Sequence, residues 1–229
     1  MPQKRTWDNE YKNPTHLLHL SNEPQKGTLK FLKFLRKQRV DIAEQTVIDI
    51  GCGNGRNGNE LAERGATVTG MDISPAAVQM AARDAKKREL DVNYLVHDIG
   101  SLWPFEDNAF TLALDVTSSN SLLAKERDIY LAELARTLQP GGWLYLKTLC
   151  LDGDKNAKEL IKRSPGPEEH TYVLPGLGLT EHVFSEAELR NIYEPYFKIT
   201  KLEKKDSYTS MHGKSFKRRF WVGYLERLP

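Results

Sequence analysis

A group of closely spaced glycines after a short apolar segment constrains the fold of this 229-residue chain more than any other feature. The apolar segment covers residues 47–50, and the glycines after it are Gly51, Gly53, Gly55 and Gly58. Glycine is needed where the backbone turns sharply or a ligand approaches the main chain closely. A helix that begins after such a turn presents unpaired N–H groups. The pattern therefore predicts a strand, a nucleotide-cofactor loop at its carboxyl end, and a helix.

Further apolar segments alternate with helical patterns after this loop. Four segments are apolar without strict alternation, as buried parallel strands are: residues 66–71, 92–96, 109–114 and 143–149. One helix is predicted from Ser74 and Pro75 to about Glu89. Another is predicted over residues 124–138, ending at a Gln-Pro-Gly-Gly turn. Strands that alternate with helices predict right-handed βαβ units and a parallel sheet.

The remaining segments depart from this alternation. Ser185, with Glu188 three residues later, is typical of a capping box that starts a helix. Residues 196–205 and 216–225 predict an antiparallel strand pair that closes the edge of the sheet. We therefore predict one domain over residues 1–229, divided into an N-terminal helical cap or lid (1–45, with its helix at about 28–38), a cofactor-binding core (46–150), a Gly/Pro-rich insertion without a clear period (151–183) and a closing helix and strand pair (184–229).

Composition indicates a globular enzyme and excludes several other classes. Hydrophobic residues make up 39% of the chain and charged residues 28%, which is ordinary for such a protein. No apolar segment approaches the roughly 20 residues of a membrane span, and the chain starts without an apolar signal region, so a cytoplasmic protein without membrane contact is expected. Cys52 and Cys150 are too few for a disulfide framework. No metal site is predicted, because His16 and His19 have helical spacing but no acidic partner motif.

Two cofactors compete for the glycine loop. Gly53, Gly55 and Gly58 satisfy the dinucleotide fingerprint, which leaves a nicotinamide-dependent dehydrogenase as one alternative. Asp49 argues against it, because a carboxylate before the first glycine would repel a pyrophosphate. The ammonium and sulfonium groups of S-adenosylmethionine would instead be attracted to that carboxylate. S-adenosylmethionine is therefore the predicted cofactor.

The spacing of Asp49, Gly51, Gly53 and Gly55 resembles the first motif of the class I S-adenosylmethionine-dependent methyltransferases, among which the small-molecule enzymes are most similar. The resemblance extends through residues 46–150 and more loosely to the closing strand pair. It implies a doubly wound α/β fold. The expected sheet has seven strands, is mostly parallel with an antiparallel C-terminal hairpin strand, and carries helices on both faces.

The resemblance also implies roles for individual residues. Asp72, at the end of the second strand, corresponds to the acid that binds both ribose hydroxyls, although a dinucleotide would use such an acid too. Asp98 corresponds to the residue that faces the adenine amino group, and Asp115 lies where the family lines the methyl-transfer channel. The implied cofactor-binding residues are Asp49, Gly51, Cys52, Gly53, Gly55, Asp72, Ile73, Asp98, Ile99 and Asp115. Trp7 and Tyr11 are an aromatic pair of the kind that some members place in a lid.

The acceptor is less constrained, because methyl transfer needs alignment more than a catalytic motif. Residues 115–120 lack the prolines that accompany amino-group methylation of adenine or glutamine, so a small molecule with an oxygen, nitrogen or sulfur nucleophile is predicted. RNA or protein is the alternative acceptor, favoured by basic segments at residues 1–39 and 201–219. A cofactor-binding protein without activity is a further alternative. Within the insertion, His170 and Tyr172 are the predicted catalytic residues; His212 is predicted to lie in a turn.

Overall fold

A seven-stranded sheet forms the centre of the molecule in the computed structural model, which describes residues 2–14, 21–211 and 214–229. The strands of this sheet are β1 (Thr46–Ile50), β2 (Thr67–Asp72), β3 (Val92–Val96), β4 (Phe110–Val116), β5 (Leu138–Leu149), β8 (Phe197–Met211) and β9 (Lys214–Arg227). Their order across the sheet is β3-β2-β1-β4-β5-β9-β8. A second sheet has two short strands, β6 (Thr171–Val173) and β7 (Thr180–His182).

Seven α-helices lie in the described part of the chain. They are α1 (Pro2–Lys12), α2 (Lys26–Lys37), α3 (Arg56–Glu63), α4 (Pro75–Lys87), α5 (Ala124–Thr137), α6 (Lys155–Arg163) and α7 (Glu186–Tyr193). As predicted, Ser74 caps α4, because its hydroxyl oxygen accepts a hydrogen bond from Ala77 N. None of the helices in the described ranges is long and apolar enough to cross a lipid bilayer.

Strand direction determines at which edge of the sheet a ligand is expected to bind. The first five strands pair in parallel, whereas β9 runs antiparallel to β5 and to β8. Strand order reverses between β1 and β4, so the loops after these two strands diverge at the carboxyl edge of the sheet. Open α/β sheets bind ligands at such a point. The predicted doubly wound sheet with an antiparallel C-terminal hairpin is confirmed.

Helices cover both faces of this sheet with their apolar sides. Neighbouring residues of β1 alternate between the two cores: Val47 packs with Phe31 and Leu35 of α2, whereas Ile48 packs in the cluster that contains Leu134 of α5. These side chains are fully buried. Burial of one such side chain contributes about 1.5–3 kcal/mol, so the two layers hold the carboxyl edge of the sheet in place.

The insertion is more regular than its sequence predicts. Residues 155–163 form α6, which begins where Asp154 accepts a hydrogen bond from Ala157 N at 2.9 Å. The antiparallel pair of β6 and β7 follows. Apart from Gly153, the prolines and glycines of this segment lie beyond α6, so they interrupt mainly the second half of the insertion.

Two strand boundaries also differ from the prediction. β5 begins at Leu138, directly after α5, and the predicted turn of residues 139–142 lies inside the strand. A register shift between β4 and β5 accommodates Gly141, whose φ is +77°. The strands β8 and β9 are longer than predicted because backbone pairing continues into polar residues. His16, His19 and His212 lie outside the described residues.

Candidate functional site

The loop between β1 and α3 turns tightly at three glycines. Gly51, Gly53 and Gly55 have φ values of +64°, +56° and +79°, which glycine adopts without steric penalty. A Cβ atom at Gly51 would lie 2.1 Å from the hydroxyl oxygen of Ser118, and one at Gly53 would lie 2.5 Å from that of Tyr11. Both positions therefore need glycine for conformation and for space.

Asp49 is a buried carboxylate beneath this loop. Its Oδ2 accepts a hydrogen bond from Gly58 N, in the first turn of α3, at 2.9 Å. Burial raises the pKa of Asp49 to about 7, with a smaller opposing effect of the Gly58 hydrogen bond and a further increase from the negative charge of Asp72. A cation bound beside Asp49 would favour its ionised form.

Asp72 ends β2 and connects two loops. Its Oδ2 accepts from Gly53 N at 2.9 Å, and its Oδ1 accepts from Ser74 N at 2.8 Å. Burial raises the pKa of Asp72 to about 6, although both hydrogen bonds act in the opposite direction. A carboxylate has about four acceptor positions, so Asp72 can still accept hydrogen bonds from a ligand.

Asp98 follows β3 and presents one unused acceptor. Its Oδ1 accepts from Gly100 N at 3.0 Å. Its Oδ2 is buried and has no hydrogen-bond partner among the described residues. Buried polar atoms are nearly always hydrogen-bonded, so this oxygen fits a donor supplied by a ligand.

One cavity of about 420 Å³ lies at the carboxyl edge of the sheet and brings these residues together. Its volume is in the range of small-molecule sites. Ten of the residues predicted from sequence line it: Trp7, Tyr11, Asp49, Gly51, Cys52, Gly53, Asp72, Ile73, Asp98 and Ile99. Burial raises the pKa of the Cys52 thiol well above its ordinary value, so Cys52 is a packed residue and not a nucleophile.

Helix α1 covers one side of the cavity. Asp8 fixes it to the start of α4, because its Oδ1 accepts from Ala76 N at 2.9 Å. Gln3 donates from Nε2 to the carbonyl oxygen of Ser121 at 2.7 Å. Between them, Trp7 packs against the apolar cluster of the insertion. The helix therefore bridges the two sides of the cavity opening.

Two predicted cofactor residues do not line the cavity. Gly55 precedes the first residue of α3 and serves as its N-cap. Asp115 is fully buried below the cavity, where it accepts from Tyr130 Oη at 2.8 Å and from Ser118 N at 3.0 Å. Asp115 thus supports the loop after β4, and its carboxylate does not form part of the cavity wall.

The predicted catalytic pair lies apart from the cavity lining as well. Tyr172 is fully buried; its hydroxyl donates to Glu181 Oε2 at 2.5 Å and accepts from Arg218 Nη2 at 2.7 Å. The half-buried His170 lies against Glu188. The catalytic role of Tyr172 stays a prediction, and its hydroxyl already has two protein partners and no exposure.

Several lining residues were not anticipated from sequence. They are Gln3, Gln25, Asn54, Arg56, Asn57, Val116, Thr117, Ser118, Ser121, Leu122, Leu123, Glu126, Gly178 and Thr180. Arg56 and Asn57 follow the glycine motif directly, so their positions could have been read from the loop. Thr117 has a φ of +64°, a conformation rare for β-branched residues, and no sequence pattern reveals it.

The lining fits S-adenosylmethionine better than a dinucleotide. Gly51 and Gly53 of the glycine loop line the cavity, and Asp98 Oδ2 offers an unsatisfied acceptor. The buried carboxylates Asp49 and Asp72 make this region acidic. Acidic groups favour a cationic ligand and disfavour a pyrophosphate.

Comparison with known proteins agrees with this fit. Residues 48–146 match the family model of a methyltransferase domain. A ubiquinone biosynthesis O-methyltransferase of Coxiella burnetii is 29% identical over 160 residues, which cover 69% of this chain and 62% of that protein. The chain thus spans less than two thirds of the length of this curated relative.

Solved structures share the fold. A SAM-dependent methyltransferase from Methanosarcina mazei is 27% identical, with a TM-score of 0.72 over 81% of this chain and 93% of that one. Magnesium protoporphyrin IX methyltransferase from Synechocystis, solved with bound SAH, has a TM-score of 0.59 at 19% identity, covering 86% of this chain and 81% of that one. Residues 48–146 of this chain therefore form a class I S-adenosylmethionine-dependent methyltransferase domain.

Proposed function

We propose that this protein transfers the methyl group of S-adenosylmethionine to a small-molecule acceptor. The observation that carries the proposal is the covered cavity, which joins the buried acids of the cofactor loop to the loop after β4. Helix α1 and residues Gly178 and Thr180 of the insertion contribute to its wall. A macromolecular acceptor would require a more open approach to the same edge.

Within the cavity we assign the acids separate positions. Asp72 accepts hydrogen bonds from the ribose hydroxyls, and Asp98 Oδ2 accepts one from the adenine amino group. Asp49 interacts favourably with the positive charge of the methionine part. The unused acceptor of Asp98 and the position of Asp49 in the cavity wall support these assignments.

When bound, the cofactor would supply an electrophilic methyl group on its sulfonium sulfur, and S-adenosylhomocysteine would be the leaving group. The contribution of this chain is to align the acceptor and to exclude water. Trp7 and residues 116–118, which line the cavity, serve this role. The acceptor loses one proton as it gains the methyl group, and solvent or a lining carboxylate receives that proton.

An oxygen nucleophile is our first choice of acceptor, supported by the name of the Coxiella relative as an O-methyltransferase. RNA is less favoured, because several basic residues of the C-terminal hairpin have acidic partners. Arg219 Nε lies 2.7 Å from Asp206 Oδ1, and Lys217 Nζ lies 2.8 Å from Asp206 Oδ2. Paired charges of this kind contribute less to phosphate binding than free ones.

A cytoplasmic location is also proposed. Cys52 and Cys150 are both buried and unpaired. Proteins with free cysteines and no disulfide are common in reducing compartments. Fractionation of cells that produce the full chain would test this location directly.

Methyl transfer can be measured with S-adenosylmethionine carrying a labelled methyl group. Small phenols and catechols, amines, thiols, bulk RNA and protein extract would be supplied as separate acceptors. We expect label on a small molecule, with release of S-adenosylhomocysteine in equal amount. Label only in RNA or protein would overturn the small-molecule proposal, and cofactor binding without transfer to any of them would support a non-catalytic role.

A further inference from the structure

A cluster of two histidines and one glutamate lies outside the cavity lining and is not used by the proposed reaction. His170 precedes β6, His182 ends β7 and Glu188 lies in the first turn of α7. One ligand atom from each residue lies within 4.8 Å of the other two. Three separate segments thus converge on one point between the insertion and α7.

We propose that His170, His182 and Glu188 bind a divalent first-row transition-metal ion. Two imidazoles and one carboxylate form a common ligand set for Zn²⁺ and Fe²⁺. With metal–ligand bonds of about 2.0–2.2 Å, ligand atoms around a tetrahedral ion lie roughly 3.3–3.5 Å apart. The 3.5 Å between His170 Nδ1 and Glu188 Oε2 agrees with this spacing.

Burial and unused polar atoms distinguish this cluster from a surface ion pair. The side chain of His182 is only 4% exposed, and its ring packs against Phe184 with the centroids 4.4 Å apart. His182 Nδ1 and Glu188 Oε2 are buried without a hydrogen-bond partner among the described residues. Such atoms carry an energetic cost unless a ligand or an ion satisfies them.

The carboxylate of Glu188 is turned toward the histidines. Its backbone N–H donates to the Ser185 hydroxyl, as the predicted capping box requires, but its Oε1 lies 2.6 Å from His182 Nε2 and not on the cap backbone. The helix cap therefore does not occupy this carboxylate, which faces both imidazoles.

The surroundings of His170 resemble those of a metal ligand. With Nδ1 facing Glu188, its Nε2 lies 3.4 Å from Glu169 Oε1. Metal-binding histidines commonly direct their second nitrogen to a carboxylate in this way. His170 also has a φ of +58°, and its carbonyl oxygen accepts from Val183 N at 3.0 Å, so the backbone directly after β7 helps to hold the residue in place.

A metal here would fasten the insertion to α7 near the cavity. Thr180, two residues before His182 on β7, lines the cavity. The site does not rest on the proposed methyl transfer, and it requires only that the three side chains converge. It goes beyond the sequence prediction, which contains no metal site.

Zinc titration of the full metal-free chain tests the proposal. We expect one Zn²⁺ per chain, and at 100 times Kd a rise in Tm of about 5–10 °C. Glu188→Gln and His170→Asn should weaken binding by at least about tenfold; asparagine is chosen because it tolerates positive φ. Glu186→Gln, on the same helix turn, is the matched control and should bind as the wild type does. Bound Co²⁺ should give a visible absorption band in wild type and control only.

Two results would overturn the inference. Equal Zn²⁺ affinity in wild type and all three variants would place the metal on other residues. No binding to the wild-type chain would leave the cluster as a hydrogen-bonded ion pair, in which Glu188→Gln lowers Tm without any dependence on metal. Circular dichroism spectra that match wild type would establish that the variants are folded.

Discussion

Asp49 determines much of the chemistry at the residue scale, because it is a buried acid beside a cofactor loop. In the free protein its pKa is about 7, so a large fraction of the molecules carry it protonated near neutral pH. A cationic ligand favours the ionised form, and by linkage ligand affinity rises as pH rises through that pKa. The charge of Asp49 should therefore be visible in the pH dependence of binding.

S-adenosylhomocysteine, which keeps the ammonium group, is the probe for this effect. Between pH 6 and pH 7.5 its affinity should increase by up to roughly eightfold, since the ionised fraction of a group with pKa near 7 rises from about one tenth to about three quarters across this window. Asp49→Asn should abolish most of the increase, because the residual titration of Asp72 is centred near pH 6. Calorimetry at four pH values would measure this, and a wild-type pH profile retained by the variant would exclude Asp49.

Asp72 offers a second prediction at this scale. Hydrogen bonds to a charged acceptor are worth about 1.5–3 kcal/mol, so Asp72→Ala should weaken cofactor binding roughly tenfold or more. Asp84→Ala, on neighbouring α4, is a control that leaves the cavity intact. An unchanged Kd in Asp72→Ala would remove this residue from the site.

Individual residues also show how much of the site could be predicted from the sequence. The acids Asp49, Asp72 and Asp98 end or follow successive strands, so motif and strand order were enough to place them at one edge. Asp115 also ends a strand region, but its carboxylate turns inward to Tyr130. The orientation of the Asp115 carboxylate depends on Tyr130, which lies 15 residues away on α5. No local sequence pattern shows this partner.

At the scale of elements, α1 is the feature that we expect to affect turnover most directly. It places Trp7 and Tyr11 on the cavity wall and fastens Asp8 to α4. Sequence predicted the aromatic pair but not the helix beneath it, since the segment has little apolar periodicity. Its position depends on tertiary contacts at Gln3 and Asp8.

Trp7→Ala should lower turnover more than it lowers stability. Loss of the indole opens the cavity to water, as loss of a lid does, whereas the anchoring hydrogen bonds of α1 remain. Methyl transfer and Tm would be measured for Trp7→Ala and for Asn9→Ala, an exposed position on the same helix. Full turnover in Trp7→Ala, or an equal loss in the control, would contradict the role of this helix as a cover.

The insertion leads to a different expectation for Tyr172. Its hydroxyl connects Glu181 and Arg218 in a buried setting, and loss of one partner leaves buried polar groups unsatisfied. Tyr172→Phe should therefore cost about 1–3 kcal/mol of unfolding free energy, measured by urea denaturation, with unchanged cofactor affinity. A variant of full stability and reduced methyl transfer would instead support the catalytic role predicted for Tyr172.

The short elements of the insertion explain why its secondary structure could not be predicted from the sequence. The helix α6 spans only nine residues, so the apolar side formed by Ala157, Leu160 and Ile161 covers little more than one turn. β6 and β7 have three residues each, too few for alternation to be seen. By contrast, α5 and the parallel strands have long apolar faces, which is why residue pattern predicted them.

At the scale of the whole molecule, the order of the strands explains where the site lies. Reversal between β1 and β4 opens a crevice at the carboxyl edge, and the glycine loop, the acids and α1 all meet there. The same architecture serves dinucleotide enzymes. The fold alone therefore does not distinguish S-adenosylmethionine from a dinucleotide. The acidic residues that line the cavity favour S-adenosylmethionine.

Cofactor binding by the full chain tests this central conclusion most directly. In calorimetric titrations of the same protein preparation, S-adenosylmethionine and S-adenosylhomocysteine should each bind at one site per chain, and NADH should give no saturable heat. Asp72→Ala should reduce the two affinities together. Saturable NADH binding without binding of either S-adenosyl compound would contradict the account.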